Sequence, residues 1–416
     1  MEKLGELGPV DLVIGIPSYN NALTIGHVVK AAQTGLLKHL SGHKALIVNS
    51  DGGSKDGTTE IVQQAIGDTQ SLIVIKHPLY PVHHLTTPYH GVPGKGNAFR
   101  TLFRVAELCE ARALAVVDAD LRSTNPEWFN LLLQPILAQD FDYVAPYYNR
   151  HKYDGTITSS IVYPLTRALY GRRIRQPIGG EFGISGRLGR HFLTSDVWNT
   201  DVAHYSIDLW MATTAVAGNF RVCQSYLGAR IHNSKDPGPN LSAMLVQVVG
   251  SVFNMMETYE SVWRNVLGSL PAPLLGSPFE EDVKAVPVPK PQLVASFAQG
   301  VRDLRPIYET LYTAQQLKEL DLCASIPVEK FALREELWVG LIYEAALAYH
   351  RREIDREHLL KSLAPLYLGW VASFAGQTEN ESAAQSNDRI ERLCLIYEQL
   401  KPYLINQWPL GAREKR

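Results

Sequence analysis

The chain has 416 residues, 45% apolar and 20% charged, a globular composition that excludes collagen, coiled coil and wholesale disorder. Lysine plus arginine number 40 against 42 acidic residues, a formal balance of −2, so there is no basic field for a nucleic-acid backbone. No apolar run of about 18 residues predicts a membrane span, and the length predicts two domains, one of them large. The start, MEKLGELGPVDLVIGIP, is acidic and runs straight into a strand pattern, so it reads as no signal peptide. Cys109, Cys223, Cys323 and Cys394 have neither metal nor disulfide spacing, which fits a reducing cytoplasm.

In chain order, Asp11 to Pro17 reads as a strand and Thr24 to Gln33 as a helix with Thr24 as its N-cap. Ala45 to Asn49 is a second strand, stopped by Ser50-Asp51-Gly52-Gly53-Ser54. Thr58 to Ile66 is a helix, Ser71 to Lys76 a third strand, Gly96 to Ala111 a helix, and Ala113 to Val117 a fourth strand ending at Asp118. Short apolar strands joined by helical crossovers predict an α/β fold with a mostly parallel, Rossmann-like sheet covered on both faces. Ligands of such sheets sit at the carboxyl ends of the strands. Here those ends carry Pro17 to Asn20, Asn49 to Asp56, and Asp118 to Arg122.

Ala243 to Leu267 looks helical. Six prolines between residues 270 and 291 (Pro271, Pro273, Pro278, Pro287, Pro289, Pro291) then read as a semi-rigid linker or strap. Beyond them the chain looks helical to its end, with the stripe Leu337, Trp338, Leu341, Ile342, Ala345, Ala346 and Tyr349 read as core or subunit contact. The expected division is an α/β domain at 1–268, a linker at 269–291 and a helical domain at 292–416.

Several segments offer chemistry. Asp118-Ala119-Asp120 puts two repelling carboxylates at the end of a buried strand, which suits Mg²⁺ or Mn²⁺ bridged to a diphosphate; a solvated turn is the plain alternative. In Asp51-Gly52-Gly53-Ser54, Asp51 can accept from a base or ribose, and the glycines allow close approach. The run has neither the Walker ending nor the G-x-G-x-x-G order. Pro93-Gly94-Lys95-Gly96-Asn97 opens a helix and favours a phosphate. Gln176-Pro177-Ile178-Gly179-Gly180-Glu181 sets a carboxylate after a double glycine. His77, His83, His84 and His90 crowd a proline-containing loop, read as an active-site lid in preference to a zinc site.

Together these segments resemble a sugar-nucleotide glycosyltransferase of the GT-A fold. Gln-Pro-Ile-Gly-Gly-Glu at 176–181 is similar to the Gln-Pro-Leu-Gly-Gly-Glu of the mannosylglycerate, glucosylglycerate and glucosyl-3-phosphoglycerate synthases. That resemblance implies a retaining hexosyltransferase that moves glucose or mannose from a uridine or guanosine diphospho-sugar to the 2-hydroxyl of D-glycerate or its 3-phosphate. It implies Asp120 and His232 as metal ligands and a donor site of Pro17, Tyr19, Asn20, Asp51, Lys95, Asp118, Gln176 and Gly179. Asp208 and Glu181 are the catalytic candidates, Asp208 either orienting the acceptor hydroxyl or the donor sugar or serving only as a structural carboxylate at a helix start. Arg150, Asp154 and Thr158 match the acceptor-gripping Arg, Asp and Thr, and Lys235, three residues past the metal histidine where a tyrosine is expected, is a fourth acceptor-binding residue, a point charge able to meet the acceptor. Arg150 offers a carboxylate a fork that lysine cannot. Thr156 stands where the phosphoglycerate enzymes place a phosphate-binding arginine, which favours free glycerate. A cytoplasmic homodimer is expected. A nucleotidyltransferase is disfavoured by Pro17-Ser18-Tyr19-Asn20, which lacks the glycine-rich basic loop, and a membrane-exporting polysaccharide synthase by the missing span. A non-catalytic sugar-nucleotide-binding scaffold is the non-enzyme alternative.

Overall fold

The computed structural model describes residues 8–66, 72–76, 95–200, 206–231, 241–277 and 285–409. They form two compact units: residues 1–149, 174–238 and 271–282 in one, residues 150–173, 239–270 and 283–416 in the other.

The first unit is built on strand β1 (Leu12–Ser18), every residue of which is buried. A strand apolar on both faces belongs in the middle of a covered sheet, and β1 lies between β2 (Ala45–Asp51) and β4 (Ala113–Val116), parallel to both. Pro17 has no N–H to give a ladder. It sits beyond the last residue of β1 that pairs with β4, Gly15 opposite Val116, where none is needed. Helix α1 (Ile25–His39) joins β1 to β2, and α2 (Thr58–Ile66) leads to β3 (Leu72–Lys76), which pairs parallel with β2. Helix α3 (Lys95–Leu108) precedes β4, and α4 (Pro126–Gln139) follows it. These elements match the sequence reading to within three residues at each end, except that α1 runs six residues past the expected Gln33, to His39.

Past β4 the sheet continues with strands that the sequence reading did not resolve. They are β5 (Tyr143–Asn149), the antiparallel β6 (Phe182–Ser185), β7 (Val222–Ala229) and a two-residue edge, β8 (Leu274–Leu275). The order across the sheet is β8-β7-β5-β6-β4-β1-β2-β3, parallel throughout except for β6. Between β5 and β6 the chain forms α5 (Tyr163–Tyr170) in the second unit; α6 (Gly186–Leu193) and α7 (Ile207–Ala217) separate β6 from β7. Reversing one strand brings the residues just before β6 to the same sheet end as those just after β4.

The second unit is helical: α5, α8 (Leu241–Thr258), α9 (Glu260–Trp263), α10 (Lys290–Asp303), α11 (Arg305–Leu311), α12 (Ala314–Ser325), α13 (Glu335–Arg351), α14 (Arg356–Thr378) and α15 (Ala383–Gln407). Every residue of the Leu337-to-Tyr349 stripe is buried in α13. Among the described residues no helix is long and apolar enough to cross a membrane.

The units do not divide at 268 and 291 as expected. Residues 150–173 and 239–270 go with the helical unit because long-range contacts outweigh sequence order. Arg167 of α5, 2% exposed, pairs with Glu391 and, at 2.7 Å, with Glu398 of α15. Part of the proline-rich segment is not a linker. Pro273 O accepts from Gln224 N at 2.7 Å and β8 extends the sheet, an edge position that tolerates proline.

Candidate active site

The loops after β1 and β2 are laced to each other. Asp51 is fully buried. Its Oδ2 accepts from the amides of Gly53 (2.9 Å) and Ser54 (2.8 Å), and its Oδ1 from the hydroxyls of Ser54 (2.6 Å) and Ser18 (2.9 Å). The residue expected to read a base or ribose spends its carboxylate on its own turn, and Gly53, at φ +84°, supplies the left-handed step the turn requires. Asn20, also left-handed at φ 53°, donates its amide to Ser54 Oγ (2.8 Å) and accepts from Lys55 N at 3.0 Å. Asp56 accepts from Ala22 N and from Thr58. Slight burial pushes its carboxyl up, but the Thr58 hydroxyl and these amides outweigh that and hold it below its ordinary value. Tyr19 is half-buried, its amide donating to Asn21 Oδ1 at 2.8 Å. Pro17, Tyr19 and Asn20 therefore line a stiffened rim at the carboxyl end of β1.

The second group gathers where β4, β6, β7, α3 and α7 end or begin. Lys95, at the start of α3, donates to Asp208 Oδ2 at 3.0 Å and lies 3.5 Å from Asp118 Oδ1. Its ammonium stands 5.3 Å from the Phe99 ring centre. Arg230, just past β7, reaches Asp118 Oδ2 with Nη2 (3.0 Å) and Glu181 Oε2 with Nε (3.3 Å). Thr24 does not cap α1 with its side chain; its hydroxyl donates to Ala119 O at 2.7 Å and ties the helix start to the Asp118–Asp120 turn. Arg122 N donates to Ile231 O (2.9 Å), binding that turn to the chain after Arg230.

Gly180 explains itself here. A Cβ on it would lie 1.8 Å from Asp118 Oδ2 and 2.9 Å from Arg230 Nη2, so only glycine leaves room for the ion pair. A Cβ on Gly179 would strike the Pro146 ring at 2.5 Å. The double glycine thus admits protein atoms where the sequence suggested a ligand. Gln176 is likewise turned inward: its amide accepts from Tyr148 N (2.9 Å) and donates to Tyr148 O (3.3 Å), clipping the loop to β5.

Among the described residues, the charges in this network do not balance. Asp118, Asp120, Glu181 and Asp208 face Lys95 and Arg230, an excess of two negative charges when all are ionised. Burial drives the Asp208 carboxyl up to about 6, Lys95 opposing and Asp118 reinforcing the shift. Burial also raises Glu181, with Arg230 pulling it down and Asp118 pushing it up. Arg230 is buried against its charge, but Glu181, Asp118 and Asp120 hold it protonated. Asp120 Oδ1, Glu181 Oε1 and Asp208 Oδ1 are buried with no hydrogen-bond partner among the described residues. A buried carboxylate oxygen without a donor is costly. Oxygen ligands, surplus negative charge and unmet acceptors fit a hard divalent cation, which Asp120, with Asp118 beside it, could hold. Among the described residues no three acid, histidine or cysteine groups form a complete metal cage. His232, Lys235, Pro93, Gly94 and the four histidines between 77 and 90 lie outside the described residues.

Sequence reasoning missed Arg230 as a site residue. Its signal is the one that exposed Asp118, a charged residue directly after a buried strand, but Val222–Ala229 carries Gln224 and Ser225 and does not read as an apolar run.

Arg150, Asp154 and Thr158 belong to the helical unit. Arg150 Nη1 is 3.9 Å from Asp154 Oδ2, a loose pair, and Thr158 opens a five-residue π-helix, Thr158–Val162. The widened turn presents Ser160 O to two buried donors, Trp338 Nε1 (3.2 Å) and Tyr397 OH (3.1 Å). The Thr156 hydroxyl is hydrogen-bonded to Tyr367 OH.

No family model matches the chain, and no curated protein matches it. Among solved structures it is similar to glucosyl-3-phosphoglycerate synthase from Mycobacterium tuberculosis. One match is a complex with Mn²⁺, UDP and glucosyl-3-phosphoglycerate, 20% identical, covering 62% of this chain and 84% of that one at a TM-score of 0.45. A second, with Mg²⁺ and UDP, is 22% identical over 62% and 83% at 0.44. A third, with Mn²⁺, UDP-glucose and phosphoglyceric acid, is 21% identical over 60% and 82% at 0.41.

Proposed function

We propose that the protein is a divalent-cation-dependent hexosyltransferase that uses a nucleotide-diphospho-sugar donor and a small hydroxy acid as acceptor. The observation that carries this reading is the carboxylate surplus around Lys95 and Arg230, with its unmet buried oxygens at a strand end. Asp120 and Asp118 would hold Mg²⁺ or Mn²⁺, and His232 is expected beside them from the resemblance. Bound there, the cation supplies Lewis-acid neutralisation of charge on a diphosphate leaving group.

The chain's own groups do the rest. Lys95, at a helix N-terminus, adds a positive charge suited to a phosphate oxygen. Arg230 fixes the Asp118 and Glu181 carboxylates, while Lys95 pairs with Asp208. Asp208, in the first turn of α7 and titrating near neutrality, holds the acceptor hydroxyl or the donor sugar. The rim of Pro17, Tyr19 and Asn20 takes the nucleoside, with Asp51 acting through the turn it shapes. Gln176 and Gly179 support the donor loop. On the helical unit, Arg150, Asp154 and Thr158 recognise the acceptor carboxylate and hydroxyl groups. Free D-glycerate is preferred over 3-phosphoglycerate, since Thr156 brings no charge and its hydroxyl is taken by Tyr367. The linkage formed keeps the α configuration of the donor.

The test is a donor-by-acceptor grid: UDP-glucose, GDP-glucose and GDP-mannose against D-glycerate and 3-phosphoglycerate with Mn²⁺. Nucleoside diphosphate release is measured, and the anomeric proton signal of each product is read by NMR. An α-linked glyceric acid glycoside supports the reading. Donor binding without release in any cell of the grid points to a scaffold, and a β-linked product refutes the retaining assignment.

A further inference from the structure

The stretch of residues 150–155 belongs to no strand or helix, yet it carries two of the three acceptor residues. β5 stops at Asn149 and the helical turns begin at Thr156. Arg150 and Asp154 bracket Lys152 at two residues on either side. Their mutual pair at 3.9 Å is too loose to set the backbone.

What holds this stretch is the C-terminal end of α14. Lys152 Nζ donates to three backbone carbonyls there: Thr378 O (2.5 Å), Glu381 O (2.8 Å) and Glu379 O (3.2 Å). The last carbonyls of a helix lack partners within it and carry the negative end of its dipole, so a cation is favoured. An ammonium has three N–H groups for these three oxygens. Beside it, Tyr153 OH donates to Ala375 O (3.2 Å), and its ring meets Phe374 edge-on with centroids 6.3 Å apart. His151 Nδ1 accepts from Tyr153 N and from Val286 N, each at 3.3 Å.

We propose that Lys152 is a positioning residue for the acceptor. By fastening residues 151–153 to the end of α14 it sets the backbone from which Arg150 and Asp154 project. The inference rests on the reading of Arg150, Asp154 and Thr158 as the acceptor grip. Arginine keeps the charge but spreads its donors in a planar fork that does not converge on three carbonyls, so Lys152→Arg rescues only in part.

The experiment is steady-state kinetics of the full chain with Mn²⁺ and the best donor of the grid, varying D-glycerate and then the donor. Lys152→Met raises the acceptor KM about tenfold and leaves the donor KM within about twofold, with Lys152→Arg in between. Hydrogen exchange over residues 150–158 quickens in Lys152→Met. Should that variant fail to fold, Lys152→Arg and Tyr153→Phe carry the test, each raising the acceptor KM alone. Arg150→Ala is the control for the underlying reading. If it raises the acceptor KM and the Lys152 and Tyr153 variants do not, Lys152 is merely structural and the inference falls. If Arg150→Ala leaves the acceptor KM unchanged, or no acid accepts sugar, the acceptor reading falls and this inference with it.

Discussion

Burial shifts the protonation of Asp208, and that shift has a cost in stability. Its folded pKa, about 6, lies above its unfolded value of 3.8, so the folded chain holds the proton more tightly. The stability owed to this group therefore declines as pH rises from about 4 to about 6 and is level above that. Asp208→Asn cannot ionise and escapes the decline. Without metal it is expected to be more stable than the parent by about 2–3 kcal/mol at pH 7.5 and by nothing at pH 4, while losing activity. Denaturant unfolding at the two pH values checks this; equal gains at both exclude the shifted carboxyl as the cause. Gly180→Ala makes the converse case. Its Cβ must displace Asp118, 1.8 Å away, or break the Arg230 pair. It is expected to fold but to lose at least about a hundredfold in kcat/KM, read in the nucleoside diphosphate release assay.

At the scale of elements, the sequence exposed what lies at the tips of apolar strands and helix starts. Asp118, Asp120, Lys95 and Glu181 were legible because each follows or opens such a run. Arg230 was not, because its strand is mixed in polarity. Direction was not legible either. Asp51 and Gln176 have the residue types of ligand-binding groups, but folding turns one into a turn organiser and the other into a clip on Tyr148. Asp51→Ala is accordingly expected to cost about 2–4 kcal/mol of stability by stranding two amides and two hydroxyls, measured by chemical denaturation; an unchanged midpoint with only a raised donor KM restores the ligand-reading role. Two lysines serve the same structural end in the helical unit. Lys152 closes α14, and Lys401, 4% exposed, donates to Ala168 O (2.9 Å) and Leu169 O (3.4 Å) at the end of α5 and to Val266 O (2.6 Å) beyond α9. Burial lowers the Lys401 pKa to about 8, with Glu398 working against the shift. Neither lysine lies in a pattern that periodicity reveals, since each partner is more than 130 residues away in sequence.

At the scale of the whole molecule, chain order and spatial grouping part company. The α/β sheet followed by helices was readable from alternating runs, but residues 150–173 and 239–270 leave the first unit for the second. Contacts such as Arg167 to Glu398, 231 residues apart, decide that membership and leave no local trace. The overall balance of −2 conceals a concentrated negative site. Its repulsion is relieved either by a proton on Asp208, whose carboxyl burial and then Asp118 raise to about 6 against Lys95, or by a divalent cation. Cation binding and proton binding should therefore compete. Mn²⁺ at a hundred times its dissociation constant stabilises a folded protein by about 2.7 kcal/mol, and the rise in melting temperature at a fixed Mn²⁺ concentration is expected to be larger at pH 7.5 than at pH 5.5.

Isothermal titration of Mn²⁺ at pH 7.5, in the presence of UDP or GDP, tests the central claim most directly: that the surplus of buried carboxylate at the end of β4 is a divalent-cation site serving a diphosphate. The account predicts one Mn²⁺ per chain, tighter with the nucleotide than without it, and binding abolished in Asp120→Ala that still melts cooperatively. Binding of equal strength in Asp120→Ala, or none in the parent chain, contradicts it.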